Sequence, residues 1–162
     1  MLKIKKKDIA VLSYLRQNAR ISLTNLSRKS GIPVSTLFDK LKTATPFIKK
    51  FTVLLDFSPL GFSTKAMIAL KVKKDHRNEV EEMLRHHKQV NSAYKVNNGF
   101  DYIAEVIVKD MNSLESFLDS LEEKRMIEKK QVFYMLDTIK QEEFLSNPSI
   151  AQLMFPEGTQ FL

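Results

Sequence analysis

The chain has 162 residues, of which 43% are apolar, with no cysteine and a formal charge of +7. That length suits one medium domain or two small ones, and the lack of cysteine excludes disulfides, thiolate zinc sites and thiol nucleophiles. No run approaches the roughly 18 apolar residues of a membrane span, and Met1 to Ile4 lead through Lys5, Lys6 and Lys7 into a charged amphipathic segment. A cytoplasmic chain without membrane contact is expected.

The positive charge is unevenly placed. Residues 1 to 62 hold 12 lysines and arginines against three acids, a net of +9; the remaining 100 hold 14 against 16, a net of −2. One end of the chain is therefore suited to a polyanion and the other is not, although lysine-rich surfaces also serve solubility.

In chain order, a first helix is read from Asp8 to Arg16, with Ile9, Val11, Leu12 and Leu15 at helical spacing. A second opens at Ser22, whose hydroxyl suits an N-cap, and stops at Gly31. Only Ile32 and Pro33 intervene before a third, whose apolar face is read as Val34, Leu37 and Leu41. So short a turn forces a steep crossing, the helix-turn-helix arrangement that offers its second helix to the major groove. A linker strand is read in Phe51 to Leu55, followed by the turn residues Asp56, Ser58, Pro59 and Gly61.

From 65 to 141 the order reads strand, helix, strand, strand, helix, strand. The strands are placed near Ile68–Val72, at Ala93–Val96, at Tyr102–Val108 and at Gln131–Leu136; the second and third form a hairpin across Asn97, Asn98 and Gly99. Val80, Met83 and Leu84 mark one helix, and Asn112 with Glu115 reads as a capping box opening the other. This is the ferredoxin-like βαββαβ order. An antiparallel sheet with both helices on one face leaves the other face for a partner subunit. The fold class is thus α+β, divided as 1–50 (winged) helix-turn-helix, 51–64 linker, 65–141 ferredoxin-like domain, and 142–162 a tail. The tail is apolar enough (Leu153, Met154, Phe155, Phe161, Leu162) to dock, on a subunit of the assembly among other choices.

The run Asn18, Ala19, Arg20, Ile21, Ser22, then Leu26 and Gly31 to Leu37, resembles the helix-turn-helix of the leucine-responsive and asparagine regulators, the Lrp/AsnC family. Asp56 with Leu60 and Gly61 resembles its linker, and Gly99, Phe100, Asp101, Tyr102 its Gly-x-Asp-Tyr turn. The likeness runs over residues 4 to 141 and departs twice. Pro46 stands where a glycine would open the wing, so the third helix ends early and the wing is rudimentary. Met126 and Ile127 occupy the stretch of a Gly-Val turn before the last strand. The resemblance implies a dimer that assembles into tetramers or octamers, binds double-stranded DNA through the first domain, and takes amino acids or related metabolites at subunit interfaces of the second.

For DNA the candidates on the third helix are Ser35, Thr36, Phe38, Lys40, Lys42 and Thr43, which lie off the apolar stripe; Arg20, Ser22, Lys49 and Lys50 flank it for phosphate contact. For the effector they are Gly99, Asp101 and Tyr102 of the turn, with Met111 and Tyr134 carried from the family by spacing. Asp101 has two readings: it binds the effector's ammonium, or it orders the loop as a cap of backbone amides. His86 and His87 point about 100° apart on a helix and cannot chelate one metal, and no phosphate loop or nucleophile motif is present, so no metal, cofactor or catalysis is expected. The competing reading is a module for RNA or a protein whose second domain serves only assembly.

Overall fold

The computed structural model describes residues 5–155 and divides into two compact units, one made of the residues up to Leu54 with those from Ile139 onward, the other of Leu55–Thr138. Met1 to Ile4, Phe161 and Leu162 lie outside the described residues.

In the first unit, α1 (Lys6–Gln17), α2 (Leu23–Ser30) and α3 (Val34–Ala44) follow in sequence. Ser22 caps α2 by accepting from the Asn25 amide at 3.2 Å. Gly31 ends it at φ 67, the left-handed conformation in which glycine carries no Cβ penalty. Val11, Leu26, Ile32 and Leu37 form the core, with Leu15, Ile21 and Leu41 packed around them. Val34, read as part of that stripe, is exposed. The inward face of α3 runs through Leu37, Leu41 and Ala44, while Ile32 of the preceding turn enters the core in front of it.

Ile9, Ala10 and Ser13 are also buried, yet at 100° per residue they lie on the side of α1 away from Val11. Here α6 (Pro148–Met154), capped by Asn147 and with Ala151 fully buried, packs against α1. The tail of this chain thus completes its own first unit. Arg16 adds bonds of 2.7 Å to the Glu142 carbonyl and 2.9 Å to its carboxylate, an exposed pair of little energetic weight.

After α3 comes a short 3-10 turn, Thr45–Phe47, built around Pro46, and among the described residues no strand precedes Thr64. The linker strand expected at Phe51–Leu55 is not formed: an extended segment needs a ladder partner, and none pairs with it among the described residues. Phe51, Val53, Leu54 and Leu55 stand 54–64% exposed.

The second unit is a four-stranded antiparallel sheet of order β2-β3-β1-β4, from β1 (Thr64–Val72), β2 (Val90–Lys95), β3 (Tyr102–Val108) and β4 (Ile127–Tyr134). α4 (Arg77–His86) and α5 (Met111–Glu123) cover one face. Ala66, Ile68, Leu70 and Val72 of β1 and Ala104, Val106 and Val108 of β3 meet Val80, Leu84, Leu114, Phe117, Leu118 and Leu121 in a single core. The alternation that fills this core sends Met67, Ala69, Ile103 and Phe133 to the uncovered face, with Met67 opposite Phe133 and Ala69 opposite Ile103.

Several boundaries differ from the sequence reading, three of them for a local reason. The two edge strands, β2 and β4, begin three and four residues earlier than read, at Val90 and Ile127, because solvent-facing Asn91, Glu128 and Lys129 mask the alternation. α5 is capped not by Asn112 but by Asp110, whose carboxylate accepts from the Ser113 amide at 2.7 Å. Among the described residues no helix is long and apolar enough to cross a membrane.

Candidate functional site

α3 turns an exposed polar face outward: Ser35, Thr36, Phe38, Asp39, Lys42 and Thr43 are all exposed. Pro33 precedes the helix without a side-chain cap, so the amides of its first turn, beside the Ser35 and Thr36 hydroxyls, remain available to an anion. The Lys42 ammonium lies 4.9 Å from the centre of the Phe38 ring, and the Thr43 hydroxyl donates to the Asp39 carbonyl at 3.1 Å. Arg20, Lys49 and Lys50 are exposed on the flanks, and Ser22 is occupied as the α2 cap.

Lys40 does not join this face. Its ammonium turns inward to Asp8 of α1, a buried carboxylate that also accepts from the Lys5 amide at 2.8 Å. The carboxylate cannot be left uncompensated away from water, so the lysine is drawn to it and joins α1 to α3. Lys40 was read as a DNA contact from its place off the apolar stripe; the acid 32 residues earlier that claims it left no local signal.

In the second unit the turn between β2 and β3 holds Asn98 at φ 66 and Gly99 at φ 96. Asp101 closes it, but its oxygens are engaged within the chain. The Val72 amide donates at 3.0 Å, Arg77 at 2.7 Å, and the Lys71 ammonium stands 3.2 Å away. The Val72 amide, with Lys71 and Arg77 adding to it and burial opposing, holds the carboxyl below its ordinary value. Of the two readings of Asp101, ordering the loop is the one these partners match. Neither Lys71 nor Arg77 stood out in the sequence.

Such a carboxyl stabilises the folded state above the ordinary carboxylate range and ceases to do so as pH falls through its depressed native value. Acid unfolding of the wild type, followed by circular dichroism, should therefore lose stability below that range. Asp101→Asn should be less stable at neutral pH and show a flatter acid limb; an unchanged profile would mean the pairs carry no net stability.

Tyr102 is buried in the core, with its hydroxyl donating to the Arg77 carbonyl at 3.1 Å. Met111 and Tyr134 are exposed at the opposite end of the sheet from Gly99 and Asp101: Tyr134 pairs with Ala66 of β1, whereas Tyr102 pairs with Leu70. Four residues along a strand span about 13 Å. One small ligand that touched both groups would take them from different subunits.

A basic helix-turn-helix unit joined to an α+β unit with one uncovered sheet face defines a two-domain DNA-binding regulator. Residues 4–43 match a winged helix-turn-helix DNA-binding model, and residues 65–145, half of the chain, match the Lrp/AsnC ligand binding domain. Transcriptional regulator AzlB of Bacillus subtilis is 32% identical over 120 residues, 70% of this chain and 76% of that protein. The regulator FL11 of Pyrococcus horikoshii is 26% identical over 136 residues, 83% of this chain and 90% of its own. The fold is also that of a Neisseria meningitidis transcriptional regulator solved with L-Met, at TM-score 0.81, 24% identity and coverage of 86% and 94% of the two chains. Bacillus subtilis LrpC superposes at TM-score 0.78 with 16% identity, covering 85% and 98%. The chain belongs to the Lrp/AsnC family: it is a transcriptional regulator with a helix-turn-helix DNA-binding domain and a ligand-binding domain of that type.

Proposed function

We propose that this regulator reads duplex DNA with the outer face of α3 and answers to an amino acid or related metabolite held between subunits. The observation that carries the DNA half is the coincidence of +9 charge in the first 62 residues with an exposed face of hydroxyls and Lys42 on the helix after the turn. Ser35, Thr36 and Lys42 are the residues proposed for base edges or nearby phosphates, Phe38 and Thr43 for flanking contact, and Arg20, Lys49 and Lys50 for the backbone, with Ser22 holding the end of α2. Assembly uses the uncovered sheet face, where Phe133 stands exposed opposite Met67, and the exposed apolar run Phe51–Leu55. Gly99, Met111 and Tyr134 are the contacts proposed for the effector, with Asp101 shaping the turn.

The effector half is supported by the ligand-binding-domain match and by the L-Met complex of the Neisseria relative. Calorimetric titration of the full chain with the twenty amino acids tests it, repeated with operator DNA present. At least one should bind and shift DNA affinity. Should none bind, the second unit is left with assembly alone, the reading that the intrachain engagement of Asp101 would then favour.

A further inference from the structure

At the far end of β1, the turn from α5 into β4 frames a concavity of about 330 Å³ lined by Lys73, Arg125, Lys129 and Lys130 with Glu122 and Glu128. Lys130 neutralises Glu122 at 2.7 Å, which leaves three cations facing one acid. The backbone around them is fixed. The Lys73 amide donates to the Met126 carbonyl at 3.0 Å, the Arg125 amide to the Glu122 carbonyl at 2.8 Å, and Met126 is buried beneath.

Arg125 is the residue just past the C-terminal cap of α5, and its φ of 51 is the left-handed conformation common at that place, which glycine or asparagine adopts at less cost than a long side chain. Among the described residues its guanidinium has no hydrogen-bond or ion-pair partner. An unpaired guanidinium beside two lysines in one concavity has an electrostatic use if the group serves an anionic ligand. The Lys129 ammonium, 5.3 Å from the Phe100 ring, is held on the same wall.

We propose that this concavity is a binding site for a small dianionic metabolite, a phosphate ester or a dicarboxylate, gripped by Arg125, Lys129 and Lys73. Guanidinium and ammonium groups on a fixed backbone suit phosphate or carboxylate oxygens, and the volume admits a molecule of that size. The site does not depend on whether the turn at Gly99 takes an amino acid.

Inorganic phosphate and succinate, titrated calorimetrically into the full chain, test it and separate phosphate from carboxylate. One of the two should bind, at one site per chain. Arg125→Gly should weaken that binding about tenfold, the loss of one charge-assisted contact, while raising the thermal midpoint because the left-handed strain is removed. Lys129→Ala should weaken binding similarly without raising the midpoint, and neither change should alter affinity for duplex DNA. The proposal is overturned if neither anion binds, if both variants bind as the wild type does, if Arg125→Gly lowers the midpoint, or if the variants lose DNA affinity, which would give these cations to the DNA backbone.

Discussion

Lys40→Ala is expected to destabilise the first unit by about 3 kcal/mol, the low end of the cost of breaking a buried ion pair. The low end applies because the Lys40 side chain keeps 16% of its surface in water, whereas that of Asp8 keeps 4%. The loss comes less from the vanished attraction than from a carboxylate left in the interior with only the Lys5 amide for company. Urea unfolding of the full chain, read at α1 and α3 amides by hydrogen exchange, measures it. The companion variant Asp8→Leu with Lys40→Met should recover most of the stability, since an apolar pair of similar volume carries no desolvation cost. An alanine variant as stable as the wild type would show that Asp8 finds water or another donor. DNA affinity should fall equally on every sequence, because what is lost is the placement of α3 and not a base contact.

Raising salt from 50 to 200 mM is expected to weaken duplex binding about 10³- to 10⁵-fold, as six to ten phosphate contacts would require at a slope of about −0.9 per contact. With 12 lysines and arginines in the first 62 residues and Lys49 and Lys50 exposed beside α3, a dimer has cations for that number. Fluorescence anisotropy across a salt series gives the slope. Lys50→Ala should reduce its magnitude by about one per subunit in contact and weaken cognate and random duplexes alike, whereas Thr36→Ala should leave the slope and change the preferred sequence by about 1–3 kcal/mol per lost base contact. A nearly flat salt response would remove duplex DNA as the partner.

What could be read in advance depended on how local its cause was. Ser22 and Gly31 announce the limits of α2 because capping is settled within three residues, and the core alternation of β1 is visible because that strand is central and packed on the helices. The Asp8–Lys40 and Asp101–Arg77 pairs span 32 and 24 residues, and no local pattern tells an exposed lysine from one drawn inward. The docking of α6 was hidden differently. Ile9 had been counted with Val11 and Leu15 in one stripe, so the second buried side of α1 had no claimant. The candidate effector residues show the same limit: spacing placed Gly99 and Tyr134 in the right elements, but only the strand register reveals that they sit at opposite ends of the sheet.

The position of α6 also bears on the order in which the molecule comes into being. α1, α2 and α3 leave the ribosome well before the helix that covers the back of α1, which is not made until Pro148, after the whole of the intervening sheet unit. At about 5–20 residues per second, the DNA-binding unit waits on the order of 5–20 s with Ile9 and Ala10 bare. A nascent chain in that interval carries a finished recognition sequence without a finished scaffold for it. The arrival of α6 decides when the back of α1 is covered, so a polypeptide cut short before Pro148 is released with that side of the unit still open.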